Sequence, residues 1–142
     1  MADNLKITYD QLSPGFEFPP RSFTLDAQTI MRYLEATGDS QEVYRWESLV
    51  PPMAVTALAM AALANSMTMP DGTIHVSQEL DFLKEVRVGE TITCYSRVSR
   101  KVERGGLRLM NTDITVLNQE QEKVLTGRVG FVLPDIGMVS HA

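Results

Sequence analysis

The sequence predicts an α+β domain: an antiparallel sheet of about five strands wrapped around one central apolar helix. Two observations carry this reading. Residues 53–67 read MAVTALAMAALANSM, an uncharged run rich in Ala, Leu and Met, which are strong helix formers. A helix apolar on nearly every side must be covered on nearly every side. After that run come four segments in which apolar and polar residues alternate, separated by turn signals, and such segments read as strands. A helix segregated to one side of an antiparallel sheet is an α+β architecture. The 142 residues suit one domain over 1–142, with a core at about 16–134 and a tail at 135–142.

The elements follow in order. Ser13-Pro14-Gly15 is a turn signal. Phe16 to Phe23 alternates around Pro19-Pro20, and prolines cannot donate to a ladder, so this is an edge strand or extended arm. Asp26 is a helix N-cap whose carboxylate can accept from first-turn amides. Ile30, Met31, Tyr33 and Leu34 then fall at helical spacing, and Gly38 supplies a left-handed C-terminal residue. Asp39 to Leu49 is a polar loop or short helix. Pro51-Pro52 opens the central helix, because proline is tolerated in a first turn. Met69-Pro70-Asp71-Gly72 is a turn. Ile74, Val76, Leu80 and Phe82 share one strand parity, which sets His75 on the other face. Cys94 and Val98 oppose Tyr95 along the next strand. Arg104-Gly105-Gly106 is a hairpin turn. Met110, Thr112, Ile114 and Val116 share a face, as do Leu125, Val129, Phe131 and Leu133, with Gly127 between.

Composition excludes several function classes. Thirteen Lys and Arg against 18 Asp and Glu give a net charge of −5, which argues against a general nucleic-acid binder. No stretch approaches the ~18 apolar residues of a membrane span, and MADNLKITYD lacks the pattern of a signal peptide. Cys94 is the only cysteine and His75 and His141 the only histidines. An internal disulfide, a Cys-based zinc site and a His-rich metal site are therefore excluded. A cytoplasmic location is expected. Mid-strand, with no histidine or helix terminus near it in sequence, Cys94 is not read as a nucleophile.

Tyr33-Leu34-Glu35-Ala36-Thr37-Gly38-Asp39, then Val43-Tyr44-Arg45, resembles the hydratase motif of MaoC-like proteins. The resemblance continues through Pro51-Pro52-Met53, Ile74-His75-Val76 and Val88-Gly89-Glu90-Thr91, where the family often has Val-Gly-Asp-Thr. It covers about Phe23 to Pro134. It implies a hotdog fold and action on acyl thioesters of coenzyme A or acyl carrier protein. Water is added to a trans-2-enoyl group, or removed from a 3-hydroxyacyl group. It calls for no cofactor and no metal. Active members carry Gly-Asp, three or four residues, then His, and that pair positions and activates a water. Here Asp39 is present but Tyr44 stands at the histidine position. The Tyr and double-Pro version resembles the N-terminal, fungal fatty-acid-synthase-type dehydratase branch. In that branch a half-domain often lacks the catalytic pair and binds the acyl chain for a partner half.

The candidate site follows from that resemblance. Asp39 and Tyr44 are the catalytic candidates, although a tyrosine of reference pKa ~10 is a poor general base. It could still orient water or bond a thioester carbonyl. The bland alternative has Asp39 capping the loop and Tyr44 packing under the helix. Amides of Met53 and Ala54 at the helix start could polarise the carbonyl on which enolate charge develops; the alternative is an ordinary core helix. His75 could face solvent, a dimer partner or a cleft. Residues 84–108 hold seven basic and three acidic side chains, +4, leaving −9 elsewhere. Arg97 and Arg100 in that window could meet coenzyme A phosphates or an acidic carrier protein, or be solvated strand faces. Met53, Met60, Met67, Met69 and Met110 could line an acyl channel, or be core.

The expected function is acyl-thioester hydratase or dehydratase chemistry, the missing histidine pointing to the acyl-binding subunit. The alternatives are a hotdog acyl-CoA thioesterase using Asp39 and a non-enzymatic acyl-binding or scaffold module. The expected partners are the thioester itself and a second hotdog subunit, in a homodimer or heterodimer; no nucleic acid and no membrane is expected.

Overall fold

A computed structural model describes residues 7–41, 44 and 48–134. The loop residues 42–43 and 45–47, the tail 135–142 with His141, and residues 1–6 lie outside the described set. The elements are β1 (Arg21–Thr24), α1 (Ala27–Thr37), α2 (Pro52–Ser66), β2 (Ile74–Phe82), β3 (Thr91–Arg104), β4 (Leu107–Asn118) and β5 (Lys123–Pro134), after a 3-10 turn at Tyr9–Gln11. Together they form one five-stranded sheet in the order β1-β3-β4-β5-β2, every pair antiparallel. The last three strands are a meander joined by the Gly105-Gly106 turn and a turn that Asn118 organises. The Asn118 Oδ1 accepts from the amides of Glu120 and Glu122 at 2.9 and 3.0 Å.

The inner face of the sheet holds α2, the hotdog arrangement. Two apolar clusters lie along the helix. Ala54, Val55 and Ala59 pack with Leu25, Ile30, Leu34, Ile92 and Leu125. Leu63 and Met67 pack with Tyr9, Leu12, Phe18, Val98, Met110 and Val129. Of the five methionines named above, Met67 and Met110 are fully buried core and Met53 is exposed. The N-terminal segment closes the second cluster. Ile7 bridges to Met67, and the Lys101 Nζ donates to the carbonyls of Tyr9 and Leu12 at 2.8 and 2.7 Å.

β1 is an edge strand that starts at Arg21, after Pro19-Pro20; upstream of the prolines the chain runs as an arm along β3, the Phe18 amide donating to the Ser96 carbonyl and the Val98 amide to the Phe16 carbonyl, both at 2.9 Å. Two expectations need correcting. The helix α2 is not covered all round: Met53, Ala57, Ala61 and Ala64 form an exposed stripe. Strand parity also fails at bulges, two of which turn a named side chain to the other face. One lies between His75 and Ser77. It turns His75 to the inner face, opposite Phe131, with ring centroids 5.1 Å apart, so His75 shares a face with Leu80 and Phe82. The other, between Val98 and Arg100, turns Lys101 inward opposite the buried Met110. An extra residue in one strand reverses every side chain beyond it.

Candidate functional site

The site is built at the end of α1. The helix begins at Asp26, whose Oδ1 accepts from the Thr29 amide at 2.7 Å. That bond holds the Asp26 carboxyl below its usual range. At the other end Gly38 takes φ 70°, a conformation that costs glycine little. The chain then doubles back, and the Asp39 amide donates to the Leu34 carbonyl at 3.1 Å. This closure sets Asp39 beneath its own helix. Its Oδ1 accepts from the Gln41 amide at 3.0 Å; the other oxygen has no hydrogen-bond partner among the described residues.

Asp39 and Tyr44 line one cavity of about 630 Å³, with Ile30, Met31, Leu34 and Val88 supplying apolar wall. That size falls within the range of small-ligand sites. The Val88-Gly89-Glu90-Thr91 motif explains how Val88 reaches it. Gly89 has φ 98°, its amide donates to the Leu25 carbonyl at 2.7 Å, and the Leu25 amide donates to the Glu90 carbonyl at 2.9 Å. The motif thereby ties the start of β3 to the residues before α1.

Tyr44 also lines a second, smaller cavity of about 330 Å³, together with Val50, Pro52 and Val55 at the start of α2, Phe82 of β2 and Lys84. It therefore stands between the carboxylate and the helix N-terminus. At that terminus the Ala54 amide is already engaged, donating to the Pro51 carbonyl at 2.9 Å. The Met53 amide has no backbone acceptor among the described residues.

Tyr33 lines neither cavity. It packs on the first apolar cluster, where burial, then the charges of Asp39 and Tyr44, push its phenol above the ordinary value.

The other candidates lie elsewhere. His75 packs on Phe131, a member of the second apolar cluster, whereas Tyr33 and Tyr44 pack on the first. Arg97 and Arg100 stand on the outer face of the sheet, Arg97 opposite Asp113 with 3.9 Å between charged groups and Arg100 opposite Asn111. The basic window divides further. Lys84 pairs with Glu122, Arg87 with Glu85 and Arg108 with Asp10, and Lys101 is turned inward. Burial pushes the Cys94 thiol up to about 12. No group of three or more His, Cys, Asp or Glu able to hold a metal ion occurs among the described residues. Nor is any described helix long and apolar enough to cross a membrane.

Chemically, the two cavities offer apolar walls, the carboxylates of Glu35, Asp39 and Glu85, one phenol, that of Tyr44, and the start of α2. No histidine lies among their described lining residues. The arrangement can hold an acyl group, bond a polarised carbonyl and orient a water.

The five-stranded sheet around α2 defines a hotdog protein. The chain belongs to the family described as FAS1-like, dehydratase domain region, whose model matches residues 13–127. Solved structures agree on the fold. The (R)-hydratase PhaJ1 of Pseudomonas aeruginosa superposes with a TM-score of 0.79 at 21% identity, covering 92% of this chain and 87% of that one. The MaoC-like dehydratase of Rhodospirillum rubrum gives 0.72 at 18% identity, covering 89% and 95%. A chain of the HadBC (3R-hydroxyacyl-ACP dehydratase) complex of Mycobacterium tuberculosis gives 0.68 at 20% identity, covering 84% and 96%. No curated protein matches the sequence.

Proposed function

We propose that this chain binds an acyl thioester, of coenzyme A or acyl carrier protein, and serves as the acyl-binding subunit of an enoyl-thioester hydratase/3-hydroxyacyl dehydratase pair in the cytoplasm. The observation that carries this reading is the cavity shared by Asp39 and Tyr44: it has the size and apolar wall for an acyl chain, and tyrosine stands where active relatives have histidine. The HadBC relative is itself a complex, which supports a second hotdog chain as partner.

In hydration, water oxygen bonds to C3 of the enoyl group, a proton goes to C2, and negative charge passes through the thioester oxygen. A donor at that oxygen lowers the barrier. The Met53 amide, at the positive end of α2, supplies one, and the Tyr44 hydroxyl supplies another. Asp39 orients the water through its remaining oxygen. The base that takes the water proton comes from the partner chain, because a tyrosine does not hold a proton reversibly near neutrality.

Crotonyl-CoA hydration by the purified chain, alone and with a second hotdog chain carrying an intact Asp and His, tests this. The expected result is binding without turnover alone, and turnover in the pair that falls at least ~10-fold with Asp39→Asn in this chain, about 1.4 kcal/mol of barrier. Turnover by the isolated chain that survives Asp39→Asn would remove the water role. Release of free coenzyme A would identify thioester hydrolysis instead. Absence of turnover in either setting, with acyl-CoA still bound, would leave a binding module.

A further inference from the structure

Of the seven basic side chains between 84 and 108, five are engaged within the chain. Lys84, Arg87, Arg97 and Arg108 each face a carboxylate, and Lys101 donates to the carbonyls of Tyr9 and Leu12. Arg100 and Arg104 meet no carboxylate among the described residues. These same two line a groove of about 380 Å³ on the outer face of the sheet.

The floor of the groove is apolar. Val102 lies opposite Leu109, Leu109 opposite Val132 and Val132 opposite Ile74, so one apolar row crosses the sheet from β3 to β2. Ile74 is 59% exposed, and Leu107, beside the row, is 51% exposed. Arg104 flanks the row at Leu107, and Arg100 flanks it on the other side, where Asn111 and Gly130 follow across the ladder. A contiguous exposed apolar strip with a charged rim marks an interaction site.

Three features select the occupant. Both β4 and β5 already pair with a strand on each side. A segment lying on this face finds no ladder to join and must satisfy its own amides and carbonyls, as a helix does. Arg100 and Arg104 stand four residues apart on one strand, ~13 Å at ~3.3 Å per residue. One phosphate or carboxylate cannot bridge them, so the occupant brings at least two separated anions, and a helix about 10–12 Å wide fits between them. Its third requirement is an apolar stripe for the row. Neither α1 nor α2 of a second copy qualifies, since α1 holds a single acid, Glu35, and α2 has no charge. A net charge of −5 weighs against an anionic bilayer as the occupant.

We propose that this outer-face groove docks an acidic amphipathic helix of a different protein, with its apolar stripe on the row from Val102 to Ile74 and its carboxylates on Arg100 and Arg104. The groove is on the face of the sheet opposite α2. Arg104 ends the fourteen-residue strand that Thr91 begins, whereas Val88, just before that strand, lines the cavity of Asp39. The docked helix therefore leaves that cavity free, and the proposal stands apart from the thioester reading.

The test uses the full chain and a fluorescent synthetic peptide of ~20 residues, long enough to be helical alone, with a Leu stripe flanked by Glu. Binding is read by anisotropy at low salt. The chain should bind this peptide at least ~10-fold more tightly than one with every Glu replaced by Lys, because like charges then meet at the rim. The same residues in scrambled order should bind as poorly. Arg100→Glu with Arg104→Glu should weaken binding of the acidic peptide at least ~10-fold for the same reason. Leu107→Ser, which leaves both charges in place, should weaken it in the same direction. Arg21→Glu with Lys123→Glu, an equal charge change away from the groove, should leave binding unchanged, and matching melting curves for the two double variants check the fold. Absence of peptide binding, equal binding of the Lys or scrambled peptide, or a control pair as damaging as the groove pair would each overturn the proposal. Displacement of the peptide by coenzyme A would assign the groove to thioester phosphates instead. Binding to phosphatidylserine–phosphatidylcholine vesicles that is lost with the groove pair, without loss of peptide binding, would assign it to a membrane. No readout needs turnover, so failed hydration would remove the proposed function and leave this proposal, and failed peptide binding would do the reverse.

Discussion

Thr112 shows how far a single residue can be read. Its place among Met110, Ile114 and Val116 on one strand face is visible as alternation, and all four are buried. Its hydroxyl, however, has no hydrogen-bond partner among the described residues, and a buried polar group left unbonded costs stability. Thr112→Val keeps the shape and removes the unmet group. It should stabilise the protein by ~1 kcal/mol, read as a rise of about 2–4 °C in Tm. A motif spacing singles out Asp39 and Tyr44, and both line one cavity. The occupied Ala54 amide was invisible in the sequence: only the observed first turn of α2 shows the Pro51 carbonyl accepting it.

At the scale of elements, helices were easier to place than strand faces. Asp26, Gly38 and Pro51-Pro52 mark the helix ends because capping is local chemistry, written within a few residues. The inner faces of β4 and of β5 from Leu125 onward were equally plain, since each keeps one parity there. Those of β2 and β3 were not, because the bulges at Val76 and Ser99 leave no mark in an alternating pattern. A reader of parity alone puts His75 and Lys101 on the wrong side. Gly127 has the opposite character: a small residue in an apolar row whose necessity becomes clear in three dimensions. A Cβ there would lie 2.5 Å from the Glu79 carbonyl oxygen and 2.8 Å from the Leu80 Cδ2. The first obstacle is backbone, so β2 itself must move. Gly127→Ala should cost ~2–3 kcal/mol and hasten amide exchange along β2 more than along β4.

Over the whole molecule, the sheet and its apolar helix were legible, because the helix has no charge to spend on solvent. The cover on that helix was only partly so. Among the described residues one chain leaves an exposed stripe on α2 and an open edge at β2. The positive window between 84 and 108 was real as arithmetic but not as a patch. Folding sends Lys101 inward and spreads the remaining charges over the loop side and the outer face of the sheet. Lys101 instead holds the N-terminal segment over the second cluster. Lys101→Met removes both bonds to the Tyr9 and Leu12 carbonyls and should cost ~3 kcal/mol, seen as a lower urea midpoint.

The bareness of α2 also bears on how the chain is made. The helix leaves the ribosome before every strand of the meander that covers it; roughly 70 residues separate its end from the end of β5. At ~5–20 residues per second a nascent chain therefore carries an uncovered, chargeless apolar segment for several seconds. During that interval the greasiest part of the protein is exposed to chaperones and to neighbouring nascent chains. Synthesis is its most vulnerable stage.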